Sequence, residues 1–258
     1  MFTLLIVGCG FLGLIIGSFL NVVIYRVPLH LSIVSPRSSC PSCHTPILER
    51  DNIPVLSWLL LGRKCRTCRA PISARYPLVE LGCAGLFAGV AAREGFNWDV
   101  PALLIFVAGL LALASIDLER LILPKSIVYA TLLLLAAALL LDAGVTHQWH
   151  RLLIAVLCAL SWFVAFFSLN FLSPRYLGFG DVRLSLVLGL ALGWLGIRYV
   201  ILGFFAANFI GAVVGVTLIA LKKMSRNQPI PFGVFLSIGA ALAIYAGPEL
   251  LIPFQRFS

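Results

Sequence analysis

The sequence is poor in charge, and its acidic residues are especially few. Charged residues make up 11% of the 258 positions, and Asp and Glu together number only 10, whereas ordinary globular domains have about 25% charged residues. The hydrophobic share is 61%, and the mean hydropathy is +1.04. A chain of this composition has too little polar surface to face water on all sides, which excludes the class of water-soluble globular proteins.

Long uncharged stretches indicate an all-α polytopic membrane protein. A helix needs about 20 apolar residues to cross the hydrocarbon core, and backbone in lipid must satisfy its own hydrogen bonds, which favours helices. The sequence predicts about eight spans, at Leu4 to Tyr25, Pro77 to Ala92, Val100 to Ile116, Ile127 to Leu141, Leu152 to Leu172, Leu184 to Leu195, Tyr199 to Leu221 and Phe232 to Ile252. The second and sixth of these segments are short for a full crossing.

The basic residues predict the orientation of these spans. The first charged side chain is Arg26, so the segment Met1 to Tyr25 lacks the basic start of a signal peptide and is expected to stay as the first membrane helix. With the N-terminus outside, the 19 Lys and Arg residues concentrate in the cytoplasmic segments, which is the positive-inside pattern. The net charge of +9 then reports topology and contact with lipid headgroups, and no nucleic acid partner is expected. The exceptions on the outer side are Arg93, Arg151, Arg198 and Arg256.

One polar segment interrupts the hydrophobic sequence. Residues 26–76 are rich in Pro, Ser, Cys and Arg, and hydrophobic sequence follows to the end. We therefore divide the chain into a first transmembrane helix at 1–25, a cytoplasmic loop domain at 26–76 and a membrane domain at 77–258. No internal repeat is expected.

Four cysteines in this loop have the spacing of a zinc ribbon. Cys40 and Cys43 form CPSC, and Cys65 and Cys68 form CRTC; two such C-x-x-C turns supply four thiolates for a tetrahedral zinc. The alternative is a pair of disulfides. The expected cytoplasmic location keeps thiols reduced and favours structural zinc. His44 adjoins the first pair and is a substitute ligand or a solvated loop residue.

Among the few acidic residues, Asp117 and Asp181 stand at the expected cytoplasmic boundary. Asp117 follows an apolar run, and Asp181 ends the segment GFGD. Each alone is ordinary interface sequence, whereas two carboxylates that meet there can divide the roles of acid and base. Gly178 and Gly180 permit a positive φ and close approach of another chain.

Several motifs together resemble the bacterial type IV prepilin peptidases. They are GSFLNVVIYRVP (Gly17 to Pro28), DNIPVLSWLLLG (Asp51 to Gly62), ISARYPLVE (Ile72 to Glu80), GFGDVRL (Gly178 to Leu184) and PIPFG (Pro229 to Gly233). The resemblance implies a bifunctional enzyme of the bacterial inner membrane. Such an enzyme cuts the basic leader from type IV pilin and type II secretion pseudopilin precursors on the cytoplasmic side, then methylates the new N-terminus with S-adenosylmethionine.

Carried over by motif, the resemblance implies that Asp117 and Asp181 are the catalytic pair of an aspartic endopeptidase. It places the cysteine loop in the methylation-associated region and implies prepilins or pseudopilins as substrates. Two positions depart from the family pattern: Lys125 stands where an acidic residue usually follows Pro124, and Arg63 stands where a glycine linked to methylation is usual.

Two other classes remain open from the sequence. One is a zinc-ribbon-bearing assembly factor or transporter, for which Glu80 is the candidate ionisable group near a span. The other is a membrane methyltransferase without protease activity, which leaves Asp117 and Asp181 without a role. No residues for binding the methyl donor can be named from the sequence, and neither the precursor served nor the oligomeric state follows from it.

Overall fold

The computed structural model describes residues 1–172, 177–223, 228 and 230–251. Within these residues the secondary structure is helical, and β pairing is limited to two isolated bridges, Ser39 with Pro46 and Lys64 with Pro71. The α-helices are α1 Phe2–Arg26, α2 Leu56–Leu60, α3 Arg75–Glu94, α4 Val100–Arg120, α5 Lys125–Thr146, α6 Trp149–Leu172, α7 Phe179–Leu195, α8 Ile197–Ala220 and α9 Phe232–Leu251. Two short 3₁₀ turns cover Val27–Leu29 and Glu49–Asp51.

Each of the eight predicted spans coincides with one long helix, that is, with every α-helix above except α2. Five of these are long and apolar enough to cross a membrane: Phe2–Leu29, Val100–Arg120, Lys125–Thr146, Trp149–Leu172 and Ile197–Ala220. Phe232–Gly247 is a shorter apolar helix. The protein is therefore multi-pass. Pro229, Ile252 and Arg256, which figured in the sequence predictions, lie outside the described residues.

The chain divides into two units, and the first is Met1–Phe96. In it α1 packs along α3, because small residues let the two backbones approach closely. A Cβ atom added to Gly13 would lie 2.6 Å from the Cα of Ala84, and one added to Gly17 would lie 2.7 Å from the Cα of Glu80. As residue numbers rise along α1 they fall along α3, so the pair is antiparallel. Close packing of this kind replaces the hydrophobic driving force that is absent in lipid.

The second unit begins at Asn97 and contains α4 to α9. Glycines again set the helix spacing: a Cβ atom added to Gly189 would lie 2.6 Å from the Cα of Ala159, and one added to Gly239 would lie 2.5 Å from the carbonyl oxygen of Gly203. These positions join α6 to α7 and α8 to α9. The fully buried side chains include Trp194, Phe106, Leu113, Ile116, Leu188 and Leu236. This core fixes the end of α4 and the start of α7, where the two predicted aspartates lie.

Candidate active site and four-cysteine cluster

Asp117 and Asp181 come together although they are far apart in sequence. Asp117 lies in the last turn of α4, and Asp181 lies in the first turn of α7. Both side chains are buried, with exposed fractions of 5% and 9%, and the two carboxylates are close enough to interact electrostatically. Two carboxylates in a buried site cannot easily both be ionised, so the pair is suited to hold one proton between them.

The local backbone of each helix end positions its carboxylate. The left-handed residue Leu121, with φ 55°, terminates α4 by donating its N–H to the carbonyl of Asp117. At α7 the N–H of Asp181 donates to the carbonyl of Gly178 at 3.0 Å. An acidic side chain in the first turn of a helix also interacts favourably with the helix dipole. Asp117 and Asp181 therefore project from helix ends whose backbones are fixed.

The start of α9 completes the site. The backbone amides of Gly233 and Val234 lie within hydrogen-bond range of the Asp117 carboxylate, whereas Oδ2 of Asp117 is buried and has no well-formed hydrogen bond to any described group. A Cβ atom on Gly233 would lie 2.9 Å from this oxygen. The lack of a side chain at Gly233 thus leaves the oxygen free for a water molecule or a substrate atom.

Gly178 and Gly180 serve the site differently from the sequence expectation. Gly178 has φ −70°, and Gly180 is helical with a negative φ, so the expectation of a positive φ was wrong. Their role is steric: a Cβ atom on Gly180 would lie 2.9 Å from the Cβ of Leu123, and one on Gly178 would lie 3.3 Å from Oδ2 of Asp181. Leu123, which the sequence analysis did not single out, also lies against Gly233 and fills the space between the starts of α7 and α9. Its position in the short connection between α4 and α5, a few residues after Asp117, is the sequence feature that could have indicated a place near the site.

Asp142 lies at the opposite end of the second unit. Its exposed fraction is 3%, and it belongs to a charged cluster with Asp99 and Arg151. Arg151 contacts Asp99 at 3.4 Å and donates to the carbonyl of Trp194 at 3.2 Å. This cluster joins α4, α5, α6 and α7 far from the Asp117 and Asp181 pair.

The four loop cysteines form a cluster. The sulfur atoms of Cys40, Cys43, Cys65 and Cys68 all lie within 4.8 Å of one another, and those of Cys40 and Cys68 are 3.8 Å apart. All seven cysteines of the chain are free thiols, so the structure offers no support for the disulfide alternative. A tetrahedral zinc with Zn–S bonds of about 2.3 Å requires sulfur separations of about 3.8 Å. The cluster fits such an ion, and His44 is not part of it.

The two cysteine turns are copies of one structure, which contradicts the expectation of no internal repeat. CPSCHTPI (Cys40 to Ile47) and CRTCRAPI (Cys65 to Ile72) share the pattern C-x-x-C-x-x-P-I. In the first, Cys40 N–H donates to Thr45 O at 3.0 Å; in the second, Cys65 N–H donates to Ala70 O at 2.8 Å. His44 and Arg69 occupy the same left-handed position, with φ of 57° and 62°. Two related turns facing each other explain how four sulfurs converge.

Hydrogen bonds within the turns favour thiolates. Bonds from the side chain and backbone of Thr45 lower the pKa of Cys43 to about 6. Backbone N–H groups of Cys68 and Thr67 likewise lower the pKa of Cys65. The pKa of Cys68 is instead raised to about 11, by desolvation and by hydrogen bonds with the neighbouring cysteines. Because a metal binds the thiolate form, the turns prepare the sulfurs of Cys43 and Cys65 for coordination.

Arg63 and Lys125, the two departures from the family pattern, each have a local structural consequence. Arg63 has φ 64°, a left-handed conformation that favours glycine, and its guanidinium lies 4.9 Å from the ring centre of Trp58. Lys125 begins α5, where a positive charge is unfavourable to the helix dipole and an acidic residue would be favourable. Neither belongs to the carboxylate pair or to the cysteine cluster.

Comparisons with known proteins cover both units. Residues 11–93 match the family model described as the bacterial peptidase A24 N-terminal domain, and residues 104–216 match the model of the type IV leader peptidase family. No solved structure is significantly similar to the chain.

Curated relatives are similar over nearly the whole chain. A protein of Aeromonas hydrophila called prepilin leader peptidase/N-methyltransferase is 36% identical, covering 92% of this chain and 89% of the relative. Proteins with the same name from Stutzerimonas stutzeri and Bacillus subtilis (strain 168) are 34% and 33% identical, covering 96% and 93% of this chain and 92% and 93% of the relatives. The chain therefore belongs to the type IV leader peptidase family.

Proposed function

We propose that this protein removes the leader peptide from type IV prepilin-like precursors through Asp117 and Asp181, and then N-methylates the new N-terminus. The observation that carries the proposal is the meeting of these two buried carboxylates at the end of α4 and the start of α7. The prepilin substrate and the methyl transfer are supported by the names of relatives that match almost the full length.

The proposed hydrolysis uses one ionised and one protonated carboxyl. The carboxylate takes a proton from a water molecule, whose oxygen attacks the carbonyl carbon of the scissile peptide bond. The carboxylic acid donates a hydrogen bond and then its proton to the carbonyl oxygen. When the bond breaks, the first carboxyl gives the proton that it took from water to the leaving nitrogen, and the second carboxyl takes its proton back from the intermediate. The backbone amides of Gly233 and Val234 hold Asp117 in place during this exchange.

We further propose eight membrane crossings, with the site and the cysteine loop facing the cytoplasm of a bacterial inner membrane. The concentration of Lys and Arg in the loop and near α4 and α7 supports this orientation. Lipid headgroups are the expected partners of these basic residues. Labelling of intact cells from outside should reach a cysteine placed at Asn97 and miss one placed at Ser38; the reverse pattern would overturn the topology.

Zinc held by Cys40, Cys43, Cys65 and Cys68 is the proposed structural metal. Four thiolates satisfy the tetrahedral preference of zinc, and bound metal would supply folding free energy to a loop with little apolar core. S-adenosylmethionine is the proposed methyl donor, because it is the donor that the family resemblance implies.

The function is tested with the purified full chain and a synthetic prepilin peptide. Mass spectrometry should find the peptide shortened at the leader junction, and a further methyl mass when S-adenosylmethionine is added. Cleavage without methylation would remove the second half of the proposal. Methylation without cleavage would favour a methyltransferase, and neither product would favour an assembly factor.

A further inference from the structure

The first unit contains one carboxylate that no cation neutralises. Residues 1–96 are all described, and three of their four acidic side chains pair with arginine: Glu49 with Arg37, Asp51 with Arg66 and Glu94 with Arg93. Glu80 is the fourth and has an exposed fraction of 6%. It accepts hydrogen bonds from the Val55 N–H at 2.7 Å and from the Ser18 side chain, both of which are neutral. An ionisable group without a counter-charge in one of the proposed membrane helices points to function.

A second buried acceptor lies on the neighbouring turn of the same helix pair. Asn21 has an exposed fraction of 2% and donates from Nδ2 to the carbonyl of Tyr76 at 3.0 Å. Its Oδ1 atom is buried and has no hydrogen-bond partner among the described groups. Tyr76 and Glu80 are one turn apart on α3, and Ser18 and Asn21 are one turn apart on α1, so the free Oδ1 of Asn21 and the carboxylate of Glu80 lie on adjacent turns. Such a buried excess of acceptors suits a cation that carries several N–H donors.

We propose that Glu80 and Asn21 bind the N-terminal amine of the cleaved substrate, and that Glu80 is the base for its methylation. This inference rests on the proposed methyl transfer and adds the residues that perform it. A primary ammonium supplies the positive charge that Glu80 lacks and the donors that Asn21 Oδ1 lacks. Methylation of an amine needs a group that removes a proton from it, and a carboxylate without a cationic partner is able to do so.

The chemistry of this step is balanced. The ammonium gives one proton to the Glu80 carboxylate, which frees the lone pair of the nitrogen. The nitrogen then forms a bond to the methyl carbon of the sulfonium donor, while the bond from sulfur to that carbon breaks and its electron pair stays on sulfur. The products are a protonated secondary amine and a neutral thioether, and Glu80 later releases its proton to water.

A strained turn covers the carboxylate of Glu80. Val55 has φ 62° and ψ −50°, and the next residue, Leu56, donates its N–H to the carbonyl of Pro54 at 2.6 Å. This is a γ-turn with a positive φ at its centre, a rare and strained conformation for which valine is poorly suited. The N–H of Val55 is the backbone group that donates a hydrogen bond to the Glu80 carboxylate. Because strain favours its displacement, the turn is the part of the loop that moves to admit the amine.

The variant Glu80→Gln distinguishes a role of Glu80 as the base from a purely structural role as the hydrogen-bond acceptor of Val55. The amide of glutamine keeps an acceptor for the Val55 N–H but has no charge and no basicity. With the full chain, a prepilin peptide and S-adenosylmethionine, we expect cleavage within about twofold of the wild type and methylation lowered by about 100-fold or more. Glu49→Gln, at an exposed carboxylate of the same unit, should change neither reaction.

The pH dependence gives a second readout. A free N-terminal amine has a pKa of about 8, so raising the pH deprotonates it without Glu80, and Glu80→Gln should recover methylation as the pH rises while the wild type changes less. Should the variant misfold, judged by proteolysis of the loop, Asn21→Ala is expected to raise the KM for the cleaved peptide with cleavage unchanged. Normal methylation by Glu80→Gln or an unchanged KM in Asn21→Ala would overturn the inference. A wild type that cuts but never methylates would instead remove the proposed methyl transfer itself.

Discussion

Oδ2 of Asp117 faces the α-carbon of Gly233, at a distance that leaves no room for a side chain. A Cβ atom there would stand 2.9 Å from the oxygen and 3.1 Å from both Cδ atoms of Leu123. The Asp117 carboxylate, at the end of α4, thus packs closely against the start of α9. This close packing requires a residue without a side chain at position 233.

Gly233→Ala should therefore lower cleavage. The added methyl group has to push Asp117 or Leu123 aside, and a displacement of about 1 Å in a catalytic group can cost about 100-fold in rate. The matched control is Gly144→Ala in α5, where an added Cβ would meet nothing within 4 Å. That variant should cleave normally and be more stable by about 0.5–1 kcal/mol, since alanine favours a helix over glycine. Peptide cleavage rates and thermal unfolding of both variants are the measurements. Equal cleavage rates in Gly233→Ala and Gly144→Ala would contradict the close packing of Asp117 against Gly233.

Zinc should be present at about one ion per chain, as a single four-thiolate site requires. Cys65→Ser should lose the ion and make residues 26–76 sensitive to protease, because the repeated turns would lose the link between them. Cys83→Ser is the control: Cys83 is buried in α3 of the same unit and lies outside the cluster. Elemental analysis with limited proteolysis checks this prediction. A full zinc content in a chain without the four loop cysteines would contradict it.

The ion pair of Asp51 and Arg66 should stabilise the loop in a pH-dependent way. Arg66 donates two hydrogen bonds to Asp51, at 2.8 Å and 2.6 Å, and this contact lowers the pKa of Asp51. A lowered carboxyl pKa means that the contribution is complete above the unfolded value of about 4 and is lost as the pH falls through the folded value.

The variant Asp51→Asn should accordingly be cut faster by protease in the loop than the wild type at neutral pH. The difference should stay constant down to about pH 5 and shrink below about pH 4. Measurement of loop cleavage with an acid-tolerant protease would follow it. A difference that grew on acidification would have the wrong sign for this ion pair.

The membrane character, the family and the paired aspartates were within reach of the sequence. Hydropathy and basic residues alone put Asp117 and Asp181 at one boundary, because apolar runs end there. From the residues alone, without the family resemblance, it did not follow that the two carboxylates meet, since this depends on the packing of α4 against α7. Hydropathy patterns do not encode which helices pack together.

Other errors have local causes. The glycines of GFGD were expected to serve through their backbone conformation, whereas their small size is the relevant property, for Gly180 because Leu123 packs against it. The repeat of the cysteine turns was not expected because C-x-x-C alone is a short match, although Pro46 and Pro71 extend it. The burial of Asp142 beside Arg151 likewise has no signal in the sequence. Burial of a lone carboxylate in a span depends on partners from other helices.

The burial of Asp142 makes it a demanding control for the central claim. Its exposed fraction of 3% resembles the 5% of Asp117, so Asp142→Asn removes a comparable buried carboxylate at the other end of the unit. A loss of activity that arose from lost folding alone would appear in this variant as well.

The most direct measurement is the rate of precursor cleavage by purified Asp117→Asn, Asp181→Asn and Asp142→Asn, each per amount of folded protein in the membrane. Removing either member of an acid–base pair removes the whole mechanism, so the first two variants should fall by about 1,000-fold or more. Asp142→Asn should cleave within about twofold of the wild type, because its carboxylate is remote from the pair. Cleavage near the wild-type rate by either Asp117→Asn or Asp181→Asn would contradict the assignment of the paired carboxylates.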